Sequence, residues 1–267
     1  GDYITSIDGE DVYGLALDEA VSLMRGYANT PITLTIFREG EDSTFDVKII
    51  REIIQITPVK YRLLDKNIAY IRISSFNDIA DKKIVTAINE LNKESDNKIK
   101  GFIIDVRNNP GGLLDQSIKV TDLFLNKGEI VSTKLREQNR KTRFFAKKGD
   151  ITYGSEIVII TNGGSASASE IFAGAMGDNG RATVIGTQTY GKGSVQTIIP
   201  LGSKKDGAIR LTTAKYYTPN DISIDKIGIK PFYIIENENN TSNDDALDLQ
   251  LEFAQKLINS RHSMKIE

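Results

Sequence analysis

A serine-rich segment between a predicted strand and a predicted helix is the first place where this sequence could do chemistry. Residues 161–170 read Thr-Asn-Gly-Gly-Ser-Ala-Ser-Ala-Ser-Glu and follow an apolar run. A hydroxyl at the carboxyl end of a buried strand lies near the free N–H groups of the following helix, which favour a developing oxyanion. Serine is also a common helix N-cap. A catalytic role and a capping role are therefore both open for Ser165, Ser167 and Ser169.

A glycine-rich loop around Lys192 is the second such place. Gly186 to Lys192 nearly matches the phosphate-binding pattern Gly-x4-Gly-Lys-Ser/Thr, but Gly193 replaces the metal-binding hydroxyl. The residues that follow are β-like and do not form the helix that would hold phosphates, so we reject a nucleotide site. Lys192 and Gln196 are four residues apart on a predicted strand, so their side chains are expected to share one face. Alternatively, Lys192 is an ordinary solvent-exposed lysine in a hairpin.

A Pro-Gly-Gly turn is the third place where this sequence could do chemistry. Residues 105–114 read Asp-Val-Arg-Asn-Asn-Pro-Gly-Gly-Leu-Leu and lead from a predicted buried strand into a predicted helix. The N–H groups of Gly111 and Gly112 have no side chain in front of them and could donate to an oxyanion. An ordinary strand-to-helix turn would have the same composition.

Composition limits which chemistry these segments could perform. The chain has no Cys, which excludes thiol catalysis, disulfides and Cys-ligated zinc. Its one histidine, His262, lies in a polar segment near the end and is expected to be a solvated tail residue. A hydrolase built on this chain would therefore need a base other than histidine. The formal net charge of −2 gives no indication of a nucleic-acid partner.

The elements that would position these segments change in character along the chain. The first part reads as strand, helix, strand, strand, and the rest alternates apolar strands with amphipathic helices, which predicts a largely parallel α/β core. The chain opens on Gly-Asp-Tyr-Ile without an initiator Met or an apolar leader, so we expect a fragment or a processed form. Predicted strands cover 3–7, 32–37, 45–50, 67–73, 101–106, 156–161 and 208–217, and one further strand enters and another leaves the glycine-rich loop around Lys192. Predicted helices cover 15–24, 79–91, 113–125, 168–176 and 244–258.

Three motifs together resemble those of one enzyme family. The segments RNNPGGLL, GGSASASEIFAGAMGDNGRATVIG and TYGKGSVQ are similar to motifs of the carboxyl-terminal (tail-specific) processing peptidases, serine peptidases with a crotonase/ClpP-like α/β core. The resemblance runs from Gly1 to about Pro231. It implies two domains. Residues 1–52 resemble the C-terminal half of a PDZ domain without the loop and strand that grip a peptide, so weak tail binding is expected. Residues 53–267 would form the peptidase core.

The resemblance also implies roles for individual residues. Ser167 would be the nucleophile, Lys192 the base, and Gln196 the residue that orients the lysine. Further implied sites are backbone groups: Gly112 and Ala168 would form the oxyanion hole, and Gly111 and Gly193 would contact substrate. No metal or cofactor is expected. The chain departs from the family pattern at Phe232, where an Asp normally follows Gly-Ile-x-Pro, and in the altered turn 221–226.

A lysine base must be neutral to accept a proton. A free lysine with a pKa of ~10.4 is only about 0.1% neutral at pH 7.5, and burial lowers a lysine pKa by up to ~3–5 units. The mechanism therefore predicts that Lys192 is buried, with Val184, Ile185 and Val195 as the apolar walls.

Two other functions fit parts of the pattern. The chain could be an inactive peptidase fold that serves as a binding or scaffold protein, or a crotonase-like acyl-CoA enzyme, which shares only the architecture. If it is a peptidase, the resemblance implies polypeptide substrates with unstructured C-termini, a possible homo-oligomer, and a location in the cell envelope or periplasm. It implies no nucleic-acid or nucleotide partner.

Overall fold

The computed structural model describes residues 2–53, 57–65, 67–135, 141–202, 207–237 and 248–264. The chain divides into two compact units, Gly1–Ile56 and Thr57–Glu267, where the sequence had placed the boundary between 52 and 53. Within the described ranges, no helix combines the length and the apolar character needed to cross a membrane.

The first unit is a four-stranded antiparallel sheet with one helix. Its sheet order is β2-β1-β3-β4. Its buried apolar side chains are Ile7, Ile32 and Ile36, and the helix buries none of its residues. The predicted order of strand, helix, strand, strand is therefore present. The elements are β1 (Tyr3–Ile7), β2 (Glu10–Asp11), α1 (Leu17–Met24), β3 (Pro31–Phe37) and β4 (Phe45–Ile50).

The second unit is built on a six-stranded sheet. Neighbouring strands are parallel except for one antiparallel pair at an edge, so the predicted mixed, largely parallel α/β core is confirmed. The two central strands are almost wholly buried, as their apolar runs predicted. In sheet order the strands are β14 (Tyr233–Ile234), β11 (Thr183–Gly186), β10 (Glu156–Thr161), β7 (Gly101–Asp105), β6 (Ile68–Ile73) and β5 (Val59–Leu64).

Helices cover both faces of this sheet because side chains of a buried strand alternate between two apolar cores. Phe102 and Ile104 belong to the larger core, with three helices, whereas Ile103 faces the smaller one. The larger core contains α2 (Ala80–Glu94), α3 (Leu114–Asp122) and α4 (Ala168–Asp178), and the smaller contains α5 (Leu249–Met264).

A second, antiparallel sheet completes this unit. Its order is β12-β13-β8-β9, and its strands are β8 (Glu129–Leu135), β9 (Lys141–Phe145), β12 (Ser194–Pro200) and β13 (Ala208–Tyr217). The segment with Lys192 enters this sheet at β12.

The position of His262 corrects a sequence-based prediction. The closing helix was expected at 244–258; the structure has α5 at Leu249–Met264, and residues 244–247 lie outside the described part. His262 is therefore a half-buried helical residue, and its assignment to a solvated tail was wrong. Its neighbour Arg261 hydrogen-bonds Glu156 at the start of β10. Ser167 follows the other end of β10, roughly 17 Å away along the strand.

Candidate active site

The site is assembled where the parallel strands β7 and β10 end side by side. Their register pairs Ile160 with Asp105, and the N–H of Val106 donates to the Ile160 carbonyl at 3.0 Å. The carboxyl ends of parallel strands meet at one edge of a sheet, so the turns that follow must also meet. The predicted serine segment and Pro-Gly-Gly turn are thus brought together.

The three serines have different environments. Ser165 is buried and donates to the Val106 carbonyl at 2.8 Å, and Ser169 is buried and donates to the Asn109 carbonyl at 2.9 Å. Ser167 is half-buried at the N-cap of α4, and its hydroxyl makes no capping hydrogen bond. Two of the serines therefore hold the turns together, and the hydroxyl of the third is available for chemistry.

The backbone of Ser167 is strained. Its φ is 56° and its ψ is −112°, a combination that a residue with a Cβ rarely adopts. Such conformations cost of order 1–3 kcal/mol and persist where the surrounding structure enforces them. Nucleophilic serines on sharp strand-to-helix turns have this character.

Gly111 lies directly against Ser167. Its φ is +105°, and a Cβ placed on it would lie 2.8 Å from the Ser167 Cβ and 2.9 Å from the Ala168 nitrogen. No other residue type fits that space without displacing the serine turn. The glycine therefore permits the two turns to touch.

Two backbone donors next to this contact are free. The bonds from Phe76 N–H to the Gly111 carbonyl and from Leu113 N–H to the Phe76 carbonyl leave the N–H of Gly112 unused. Among the described residues neither the Gly112 nor the Ala168 N–H has an acceptor. Both were predicted as oxyanion donors, and this arrangement suits that role.

An open depression adjoins Gly112. It has a volume of about 350 Å³ and is lined by Ser75, Phe76, Asn77, Asp78, Gly112 and Leu113. The depression therefore leaves open space beside the Gly112 backbone.

Asn109 holds the two turns in register. It is fully buried, and its carbonyl accepts from the Ala166 N–H at 3.0 Å as well as from Ser169. Its side-chain oxygen accepts from the Gly111 N–H and its amide donates to the Ile73 carbonyl, both at 2.9 Å. The side chain therefore fixes the glycine turn against the end of β6.

Glu170 joins the serine turn to the lysine loop, a role that was missed in the sequence. Its side chain is completely buried and accepts four hydrogen bonds. One oxygen accepts from Thr189 Oγ1 and Gly191 N–H, both at 2.6 Å, and the other from Ser167 N–H at 2.7 Å and Lys192 N–H at 2.8 Å. The spacing Ser167-x-x-Glu170 is a capping-box pattern, which was the available signal.

The structure places the predicted base differently from expectation. Lys192 lies in the loop before β12, and its side chain is exposed, so the predicted burial is wrong for this structure. Of the three predicted walls, Val184 and Ile185 are buried in β11 and Val195 is half-buried in β12, whereas Lys192 itself is exposed. The argument that Lys192 and Gln196 share a strand face also fails, because β12 begins only at Ser194.

Gly193 is buried for a backbone reason. A Cβ there would lie 2.1 Å from the Asp225 nitrogen, so the glycine allows the lysine loop to pack on the altered turn 221–226. Its carbonyl accepts from the Tyr216 N–H at 2.8 Å. Contact between Gly193 and a substrate remains a prediction.

A charged network supports the Pro-Gly-Gly turn from the opposite face of the sheet. Asp105, with no exposure, accepts from Arg107 and from the Tyr70 hydroxyl at 2.7 Å. Burial, aided by Asp105, raises the pKa of Tyr70 to about 12, so its hydroxyl keeps its proton. Arg107 also pairs with Asp248 at 2.8 Å, just before α5. Burial opposes the charge of Arg107, but hydrogen bonds to both carboxylates outweigh it and raise its pKa.

A cavity of about 830 Å³ lies elsewhere. Its lining includes Glu156 and Thr183, at the amino ends of β10 and β11, and Arg261 of α5. It therefore lies at the edge of the sheet opposite Ser167. In the described ranges no group of three or more His, Cys, Asp or Glu residues could hold a metal ion.

Comparison with known proteins places this chain in a family. The model of Peptidase family S41 matches residues 67–235. This chain belongs to peptidase family S41. A carboxy-terminal-processing protease of Bartonella bacilliformis is 55% identical over 237 residues, covering 88% of this chain and 54% of the relative. A carboxyl-terminal-processing protease of Synechocystis sp. is 39% identical over 240 residues, covering 88% and 54%.

A solved structure is also similar to this chain. The photosystem II D1 C-terminal processing protease superposes with a TM-score of 0.62 at 28% identity, covering 92% of this chain and 66% of that one. This S41 chain spans about half the length of the curated relatives it matches.

Proposed function

We propose that this S41 chain carries the catalytic core of a serine endopeptidase that cleaves protein substrates near their C-termini. The observation that carries the proposal is the contact of Gly111 with Ser167 and Ala168. It sets a free serine hydroxyl beside two unused N–H donors, which is the arrangement that acyl transfer requires.

The proposed reaction has two halves. Ser167 Oγ attacks the peptide carbonyl and gives its proton to the neutral amine of Lys192, while the Gly112 and Ala168 N–H groups bind the oxyanion. The C–N bond then breaks, and the lysine returns the proton to the leaving amine. Water repeats the sequence on the acyl-enzyme, which releases the carboxylate and restores the serine.

The exposed amine of Lys192 places a condition on this mechanism. We propose that a bound substrate covers it and excludes water. Glu170 supports this step, because it already fixes the backbone of Lys192 and Gly191 relative to Ser167. We propose that the lysine side chain then turns toward the hydroxyl. Gln196 is exposed on β12 and is proposed to orient the lysine in that closed state.

Substrate class and location are proposed from the relatives. The Bartonella and Synechocystis proteins are named for carboxyl-terminal processing, which supports substrates with unstructured C-termini. The family resemblance further supports a location in the cell envelope or periplasm.

Cleavage of a disordered protein by wild type and variants tests the proposal. We expect Ser167→Ala and Lys192→Ala to abolish cleavage without loss of folding. Lys192→Arg should also be inactive, because a guanidinium cannot give up its proton. Gln196→Ala should slow cleavage without abolishing it.

Mass spectrometry of the products locates the cut, and urea unfolding of each variant checks the fold. A folded Lys192→Ala variant that still cleaves would refute the serine–lysine pair. A wild type that binds the disordered protein without cutting it would favour the scaffold alternative.

A further inference from the structure

The β12–β13 hairpin carries an apolar face that extends beyond the core. Strand register pairs Val195 with Ala214, Thr197 with Leu211 and Ile199 with Ile209, and directly paired side chains share a face. Ala214 is buried, so this is the side of the sheet that faces the core. Leu135 of β8 pairs with Ala214 and joins the same face. We call Leu135, Ile199, Ile209 and Leu211 the ribbon face.

The ribbon face is accessible to a partner. Its four side chains are each 42–47% exposed. The paired residues Gln196 and Thr212, on the opposite face of the hairpin, are polar and exposed. A two-stranded ribbon is marginally stable unless its apolar face is covered, and a contiguous apolar patch commonly marks a binding surface.

In the described ranges, one edge of the hairpin has no partner strand. β12 is the terminal strand of its sheet. The bonds from Tyr216 N–H to the Gly193 carbonyl and from Leu201 N–H to the Gly207 carbonyl flank the pairs Ser194–Lys215 and Pro200–Ala208. Both pairs are therefore non-hydrogen-bonded pairs, whose backbone groups point away from the partner strand. Because hydrogen-bonded and non-hydrogen-bonded pairs alternate along a strand, the backbone groups of Gln196, four residues before Pro200, also point away from β13.

We propose that an extended apolar segment of the substrate polypeptide adds to the free edge of β12 and lays its alternate side chains along the ribbon face. This inference rests on the proposed peptidase function. Its basis is continuity with the site, since β12 begins two residues after Lys192. Backbone bonding to Ser194 and Gln196 supplies affinity, and the ribbon face selects apolar side chains.

The distance from the candidate site to the ribbon face sets the length of substrate that the protein contacts. Ile199 is seven positions after Lys192, roughly 23 Å of extended chain. The preferred substrate is therefore a long, unfolded chain with alternating apolar residues out to about seven positions from the cleaved bond. A short peptide around the same bond does not reach Ile199.

Two substrates with one cleavage site test this. One is a disordered polypeptide of about twenty residues with alternating apolar residues, and the other is a five-residue peptide around the same bond. Ile199→Asp should raise KM for the long substrate about tenfold or more, as expected for one lost apolar contact, with a smaller effect on the short one. Thr212→Asp puts the same charge on the opposite face and is the matched control, expected to leave both KM values unchanged.

Leu211→Ser is a second variant of the ribbon face, for the case that Ile199→Asp does not fold. It should also raise KM for the long substrate. Fluorescence anisotropy with Ser167→Ala as background should show the same weakening in Kd. Unchanged KM in both ribbon-face variants overturns the inference alone, as does a wild-type dimer that Ile199→Asp separates without a change in KM. A wild type that cleaves neither substrate overturns the peptidase function together with the inference.

Discussion

Ser167 differs from the serines on either side of it in backbone as well as side chain. Ser165 and Ser169 donate to carbonyls of the 106–109 turn, and both lie in positions without strain. Ser167 has a positive φ, and its N–H is held by Glu170. The neighbouring contacts thus force one residue into a costly conformation that presents its hydroxyl at the site.

This strain predicts different stabilities for two inactive variants. Ser167→Gly should be more stable than Ser167→Ala by about 1 kcal/mol, because glycine adopts a positive φ without a Cβ clash. Urea unfolding at pH 7 measures the difference. An alanine variant as stable as the glycine variant would show that the backbone is not strained in solution.

Glu170 acts through other residues, because its carboxylate accepts one hydrogen bond from Ser167 and three from the lysine loop, at Thr189, Gly191 and Lys192. Glu170→Gln puts an amide where a carboxylate accepted N–H donors, so the lysine loop should shift. We expect kcat to fall ~10–100-fold with little change in KM.

The matched control for Glu170 is Asp150→Asn. Asp150 is also buried and accepts from Thr152, Gly154 and Arg181, but it lies at the other edge of the sheet. Asp150→Asn should lower the free energy of unfolding about as much as Glu170→Gln does, and it should leave kcat unchanged. Equal losses of kcat in the two variants would assign Glu170 a purely structural role.

Among the helices, α5 is linked to the candidate site through ion pairs. Asp248 accepts from Arg107 and from the Leu251 N–H at the start of the helix. Arg107 in turn binds Asp105 at the end of β7, directly before the Pro-Gly-Gly turn. Partial burial acts to raise the pKa of Asp248, but these hydrogen bonds outweigh it and lower that pKa.

The lowered pKa predicts a pH dependence. Since the folded pKa is below the unfolded value of about 3.9, the stabilisation is present above that value and is lost as pH falls through the folded pKa. Asp248→Asn should therefore reduce the free energy of unfolding by about 1–2 kcal/mol at pH 7, and by less below pH ~4.

Chemical denaturation at several pH values measures this. Glu252→Gln is the control on the same helix, since its exposed pair with Lys256 should contribute less than about 0.5 kcal/mol. A difference between wild type and Asp248→Asn that stays constant down to pH 2 would exclude the ion pair as its source.

On the scale of the whole molecule, the two units differ in how much core they contain. The first unit has three buried apolar side chains. The core of the second unit includes buried residues of β7 and β10 and of three helices. Stability rises with the fraction of surface that a unit buries. The units are therefore expected to open at different free energies.

Hydrogen–deuterium exchange followed by mass spectrometry tests this difference. Amides of β3 in the first unit should exchange at least tenfold faster than those of β7, because local opening is easiest where buried apolar contacts are few. The comparison is internal to one sample. Equal protection of β3 and β7 would contradict it.

Much of the core was predictable from local patterns. Apolar runs predicted β7 and β10 as buried strands, and apolar periodicity predicted α2 to within a few residues. The helix predicted after β10 matches α4 equally well. β5 and β9 were missed, because charged residues such as Lys60, Arg62 and Arg143 interrupt their apolar pattern. Their strand character depends on pairing with a neighbour, which a local pattern does not contain.

The sequence by itself determined the residue types of the site and their local setting: serines at a strand-to-helix junction, glycines in two turns, and a lysine in a third loop. Only the tertiary structure decided that Gly111 touches Ser167, that Glu170 joins the serine turn to the lysine loop, that Lys192 is exposed, and that His262 lies at the far edge of the sheet. The reason is physical. Strand and helix periodicity is a property of neighbouring residues. The meeting of the serine turn, the Pro-Gly-Gly turn and the lysine loop follows instead from the parallel registers of β7, β10 and β11, which join distant parts of the chain.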